Sequence, residues 1–239
     1  MKKLFSLLVS ASILLVSCSD DEEVIGGGNG SDALTPYQTE VISYFKDIAL
    51  GFEFGNSSRI VRKWDTDMKI FVGGRPNSTL LDELETIKDE INSLTGDEFS
   101  MEIVSDTLES NYYIFFGSAE EYTSIFPQLA QLAASNWGLF SIFWDGNQNL
   151  FRGYMYVDIE RANSLEQRHL LREELTQSLG LARDSFEYPE SIFQQDWTRT
   201  TSYAGIDEDL IRLLYHPQVT VGLDANGVDP VLRNILINE

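Results

Sequence analysis

Residues 164–184, SLEQRHLLREELTQSLGLARD, admit little besides an α-helix with one buried face. Leu170, Leu171, Leu175 and Leu179 recur at helical spacing, so this stripe must pack into a core. His169, Glu173 and Gln177 lie at i, i+4 and i+8 and share a second, polar stripe. Ser164 is placed to cap the start. Gly180 is placed to end the helix in a left-handed turn, letting the chain bend sharply toward Arg183 and Asp184.

The flanking sequence supplies partners for that face. Tyr37 to Phe52 has helical periodicity, ending near Gly51. Residues 59–72 alternate and read as a strand pair or one long strand. Ser78 starts a helix that runs to Leu94, with Leu81, Leu84, Ile87, Ile91 and Leu94 on one face. Strands are expected at Phe99–Val104, at Tyr112–Phe116, and at Leu139–Trp144 and Phe151–Ile159. The last two are joined by the hairpin signal Asp145-Gly146-Asn147. Ser118 to Leu132 is partly helical and interrupted at Pro127, and Asp207–Tyr215 is the last helix expected. The fold class is therefore α+β, a mixed twisted sheet with packed helices, in a single domain over residues 36–239.

The first 35 residues do not belong to that domain. Lys2 and Lys3 precede an apolar run, Leu4 to Val16, too short to span a bilayer comfortably, so residues 1–17 read as a signal peptide. The run ends Leu15-Val16-Ser17-Cys18, which resembles a bacterial lipobox. Cys18 is the only cysteine, so it makes no internal disulfide and suits an acyl acceptor. Residues 18–35 then form an acidic, Gly-rich tether. Asp20 to Glu23 resemble the export signal of Bacteroidetes-type surface lipoproteins. The expected location is lipid-anchored at the outer membrane or cell surface. A formal charge of −21 argues against nucleic-acid partners.

The segment from Glu173 to Leu181 resembles the metzincin pattern H-E-x-x-H-x-x-G-x-x-H in its matrixin-like form. Tyr188–Phe193 stands where those proteases have their Met-turn, and Ile206–Tyr215 stands for their closing helix. More closely, REELTQSLGL, the Ser191-Ile192-Phe193 segment and Leu213–Pro217 with Gly222 resemble an uncharacterised bacterial family, DUF2927. The resemblance implies a zincin-like domain in which Tyr154–Ile159 is the substrate-lining edge strand, with a cleft between it and the Glu173–Gln177 helix. It implies metal ligands at Glu173, Gln177 and Arg183, with Glu174 as the base. An amide is a poor ligand and a guanidinium cannot ligate, so only Glu174 keeps its family identity.

The expectation is a degenerate, metal-free zincin, with Arg183 in place of the ion and paired to Glu173. It would bind a peptide, protein or glycan at the cell surface, with Trp137, Trp144, Tyr154 and Tyr156 as candidate glycan-lining rings. Two alternatives stand beside it. One is an active hydrolase with zinc on His169, Glu173 and either Asp184 or His216, and Glu174 as general base. The other is a purely structural lipoprotein.

Overall fold

The computed structural model describes residues 33–52 and 57–239. The signal peptide, Cys18 and most of the tether lie outside the described residues. Residues Ala33–Glu239 form one unit. Its sheet has five strands: β1 (Met68–Gly74), β2 (Met101–Val104), β3 (Tyr112–Gly117), β4 (Gly138–Trp144) and β5 (Leu150–Asp158). They lie in the order β2-β1-β3-β5-β4. All neighbours run parallel except β4, which lies antiparallel on β5. This is the mixed sheet of an α+β domain.

The central strands are apolar on both faces, as strands covered on two sides must be. In β3, Tyr112, Ile114, Phe115 and Phe116 are all buried. One face carries the main core, closed by α1 (Pro36–Ala49), α2 (Ser78–Thr95), α5 (Ser164–Gln177), α6 (Gly205–Tyr215) and α7 (Ala225–Ile237). The other face has a smaller cluster around Phe115, Tyr122, Leu139 and Tyr156, next to the short helices α3 (Ala119–Ile125) and α4 (Ala130–Ser135).

The motif helix is α5, and it forms for local reasons. Asn163, one residue before the expected cap, accepts hydrogen bonds from the Leu165 and Glu166 amides. The Glu166 carboxylate accepts one from the Asn163 amide, completing a capping box. Asn77 likewise takes the capping role ahead of Ser78 in α2, accepting from the Leu80 amide. Leu170, Leu171, Leu175 and Leu179 are buried, as their spacing requires. Gly180 follows with φ of 118°, and a Cβ there would overlap the Arg62 carbonyl oxygen, so only glycine fits the turn.

Arg172 ties α5 to α2. It is 1% exposed and donates to Glu83 at 2.9 Å and to Glu90, with its guanidinium 4.6 Å over the Tyr203 ring. At the C-terminal end of the helix layer, Asp207 is fully buried. It accepts from the Ser191 hydroxyl at 2.6 Å and the Ile192 amide at 3.0 Å, fixing the 191–193 segment beneath the core.

Four expectations need correction. Residues 59–67 are not a strand. Val61, Arg62 and Trp64 are buried without strand alternation, and the backbone binds three neighbours: the Leu150 amide donates to the Lys63 carbonyl, the Val61 amide to the Leu223 carbonyl, and the Gly222 amide to the Val61 carbonyl. In α2, Leu80 rather than Leu81 faces the core, and Leu81 is exposed. Asp207–Tyr215 is not the last helix. α7 follows, started by Asp224, which accepts from the Asn226 and Gly227 amides, and it buries Val228, Leu232, Ile235 and Leu236. Finally, the strand beginning at Leu150 is interior, between β3 and β4, so the sheet edge beside α5 is β4.

Candidate functional site

A cleft of about 1200 Å³ runs the length of β4, between that edge strand and α5. Gly138 to Trp144 form one wall. Glu166, Leu170, Glu173, Glu174 and Gln177 of α5 form the floor. The expected cleft between the Tyr154–Ile159 strand and α5 is thus displaced by one strand. Tyr154 still reaches it, while the rest of β5 lies behind β4.

The orientation of β4 follows from its ladder. The Asp158 amide donates to the Trp137 carbonyl at 2.7 Å, and Gly138 stands opposite Val157. Hydrogen-bonded pairs alternate in an antiparallel ladder, so Leu139 and Ser141 direct their amides and carbonyls at β5. Gly138, Phe140 and Ile142 direct theirs outward. Among the described residues no strand pairs with that outer edge.

Glycine at 138 has a spatial cause. A Cβ there would lie 2.6 Å from Glu174 Oε1 and 3.0 Å from Leu170 Cδ2. The missing side chain lets the helix approach the strand and brings the Glu174 carboxylate beside the edge backbone. Glu173, one position earlier on α5, points elsewhere. Its Oε2 lies 3.2 Å from His169 Nε2, and His169 Nδ1 faces the Thr200 carbonyl at 2.8 Å. Burial alone would lower the imidazole pKa. The Glu173 hydrogen bond and charge, with the Thr200 carbonyl, outweigh it and raise the pKa.

The positions that resemble metal ligands do not fit a zinc ion. Gln177 donates from Nε2 to Asp184 Oδ1 at 2.6 Å. Arg183 does not meet Glu173. Its guanidinium donates to the Asp47 carbonyl at 3.0 Å, one of the last carbonyls of α1, which lack intrahelical partners. The alternative zinc set also fails to assemble. Among the described residues no three His, Cys, Asp or Glu side chains are arranged to hold a metal ion. His169 and Glu173 meet, Asp184 meets Gln177, and His216 caps the end of α6, where its Nδ1 accepts from the Gln218 amide.

Aromatic rings frame the two ends of the cleft. At one end Trp144 stacks on Phe52 at 5.3 Å, with the Arg62 guanidinium 4.6 Å over it. At the other, Trp137 and Trp197 meet edge to face at 5.6 Å, and Trp197 packs against His169 at 6.0 Å. Of the four rings expected to line a glycan site, Trp137, Trp144 and Tyr154 line the cleft. Tyr156 does not. It is fully buried against Tyr122 at 4.4 Å, and burial pushes its hydroxyl up to about 12. Sequence reasoning missed Trp197 and the outward groups of Gly138, Phe140 and Ile142. A lone tryptophan in the polar stretch Asp196–Ser202 was the available signal for the first.

Fold and site together define an α+β domain with an acidic cleft beside an edge strand that is unpaired among the described residues. The family described as "Protein of unknown function (DUF2927)" matches residues 38–234, and the chain belongs to that family. No curated protein matches it in sequence. Among the described residues no helix is long and apolar enough to cross a membrane.

Proposed function

We propose that the chain is an exported lipoprotein whose zincin-like domain binds an extended peptide without cutting it. The observation that carries this reading is the outer edge of β4, where Gly138, Phe140 and Ile142 present amides and carbonyls to the cleft. A peptide laid antiparallel on that edge continues the sheet. Its main chain supplies affinity and its alternate side chains supply selectivity. Seven residues of β4 span about 20 Å, the length of a heptapeptide.

Support for the zincin-like reading is the local order of parts. A helix carries Glu173, Glu174 and Gln177, turns at a positive-φ glycine, and is followed by a buried 191–193 segment and a closing helix. Support for binding over cleavage is the fate of the ligand positions, all engaged in protein contacts. The lipid anchor at Cys18 rests on the sequence alone. A hydrolytic second reading has one observation in its favour: the Glu174 carboxylate lies beside the edge backbone, where a general base belongs.

The test uses the full chain against displayed random heptapeptides, then amide hydrogen exchange with an enriched peptide. Protection of the Gly138, Phe140 and Ile142 amides is the expected result. Failure to enrich any sequence, or binding that leaves those three amides unchanged, overturns the reading. Cleavage of the peptide that Glu174→Gln abolishes favours the hydrolase.

A further inference from the structure

We propose that the Trp137–Trp197 corner of the cleft is a recognition pocket for one basic side chain, lysine or arginine, of a bound peptide. This rests on the strand-addition reading and deepens it. The corner lies at the Gly138 end of β4, so it selects the peptide residue that passes there.

Three observations converge. Trp197 is 54% exposed on the cleft wall, although a large apolar ring in a polar loop would ordinarily be buried. His169 packs edge to face against it, and His169 is itself fixed by Glu173 and Thr200. An exposed tryptophan set edge to face with Trp137 offers a π-surface, and tryptophan is the strongest aromatic partner for a cation.

Around the rings Arg199 and His169 offset Glu166 and Glu173, and the remaining carboxylates of the cleft, Glu174 and Asp184, leave its lining negative. Glu166, Glu173, Glu174 and Asp184 line the cleft, and among the described residues no lysine or arginine does. The nearby cations are already engaged. Arg199 pairs with Glu166 at 3.0 Å, and the His169 ring nitrogens face Glu173 and Thr200. An acidic side chain would meet carboxylates here, and a neutral aliphatic one would forgo the ring quadrupole. A lysine or arginine stem packs on the indoles while its charged head reaches the carboxylates.

The experiment has two arms on the full chain. In the first, Nα-acetyl-lysine methylamide and its norleucine analogue are titrated while the Trp137 and Trp197 indole resonances are followed. In the second, one heptapeptide frame carries lysine, arginine, norleucine, citrulline or glutamate at each position in turn. The expected result is an indole response to the lysine amide alone, and one position that prefers lysine or arginine about tenfold over norleucine. Trp197→Ala, an exposed site that folds, removes the preference, and Trp197→Phe keeps part of it.

No indole response to the lysine amide overturns the pocket, as does peptide binding without a basic preference. A response to a neutral disaccharide in place of the lysine amide also overturns it and assigns the corner to a sugar. If no peptide binds while the lysine amide still shifts the indoles, strand addition falls and the pocket stands.

Discussion

His169 and Glu173 sit one helical turn apart on α5 with Nε2 and Oε2 3.2 Å apart, and both imidazole nitrogens face acceptors. Only the doubly protonated ring satisfies both at once, which is why its pKa is raised despite burial. A histidine raised by folding stabilises fully below its unfolded value of about 6.5 and loses that contribution as pH climbs through the folded value. The melting temperature of the wild type therefore falls as pH rises from about 6 toward 9. His169→Gln, which cannot titrate, flattens that slope. Thermal melts of both proteins across this range check it, and parallel slopes would rule out His169 as the source.

Arg172 pins α5 to α2 through Glu83 and Glu90, and its side chain is almost fully enclosed. Removing one partner of a buried pair leaves the other charge desolvated, at a cost of about 3–5 kcal/mol. Arg172→Ala leaves the buried Glu83 with only Arg168 at 3.7 Å, while the exposed Glu90 returns to water, so unfolding stability falls by about 3 kcal/mol, the lower end of that range. The triple change Arg172→Met, Glu83→Leu and Glu90→Gln recovers most of it, because no unpaired buried charge remains. Urea unfolding of the three proteins measures both differences. A loss under about 1 kcal/mol for Arg172→Ala would show the pair to be solvated.

The motif helix was legible because its leucine spacing and Gly180 are local signals, and local signals survive folding. The hairpin was legible from Asp145-Gly146, and β4 and β5 are antiparallel neighbours as that turn requires. Which of the two forms the sheet edge was not legible. Strand order is set by distant pairings, here β5 on β3, and no residue in β4 announces an empty flank. α7 escaped notice because Asn226-Gly227 and Pro230 read as turn residues, while its burial depends on packing against α1. In the site, Glu173, Glu174 and Gln177 stood out. The destination of Arg183 did not, since it is decided by the carbonyl at the end of a helix far away in sequence.

Gly180 tests how strictly the turn after α5 is required. With φ of 118° and the Arg62 carbonyl against its α-carbon, any side chain meets both backbone strain and overlap. Gly180→Ala destabilises the fold by more than about 1 kcal/mol. Gly138→Ala is different. The obstacles are side chains rather than backbone, Glu174 Oε1 at 2.6 Å and Cγ at 2.9 Å with Leu170 Cδ2 at 3.0 Å, so the protein folds as the Glu174 and Leu170 side chains shift away from the edge strand. Unfolding curves separate the two variants. A Gly138→Ala protein that fails to fold would mean that the strand and helix, rather than the Glu174 side chain, must yield.

Proline substitution reads the direction of each β4 amide. Proline removes one donor and is tolerated only where the ladder does not use it. The Ser141 amide faces β5, so Ser141→Pro breaks the sheet and costs about 3 kcal/mol or more. The Phe140 amide faces the cleft, so Phe140→Pro folds and loses mainly its half-buried ring. Phe140→Ala loses the same ring and keeps the amide, which makes it the control for peptide affinity. If a peptide adds to this edge as a strand, Phe140→Pro binds it about five- to tenfold more weakly than Phe140→Ala, the contribution of one main-chain hydrogen bond. Equal affinities, measured by calorimetry on the two folded variants, would place the peptide elsewhere in the cleft and remove the edge strand from its recognition.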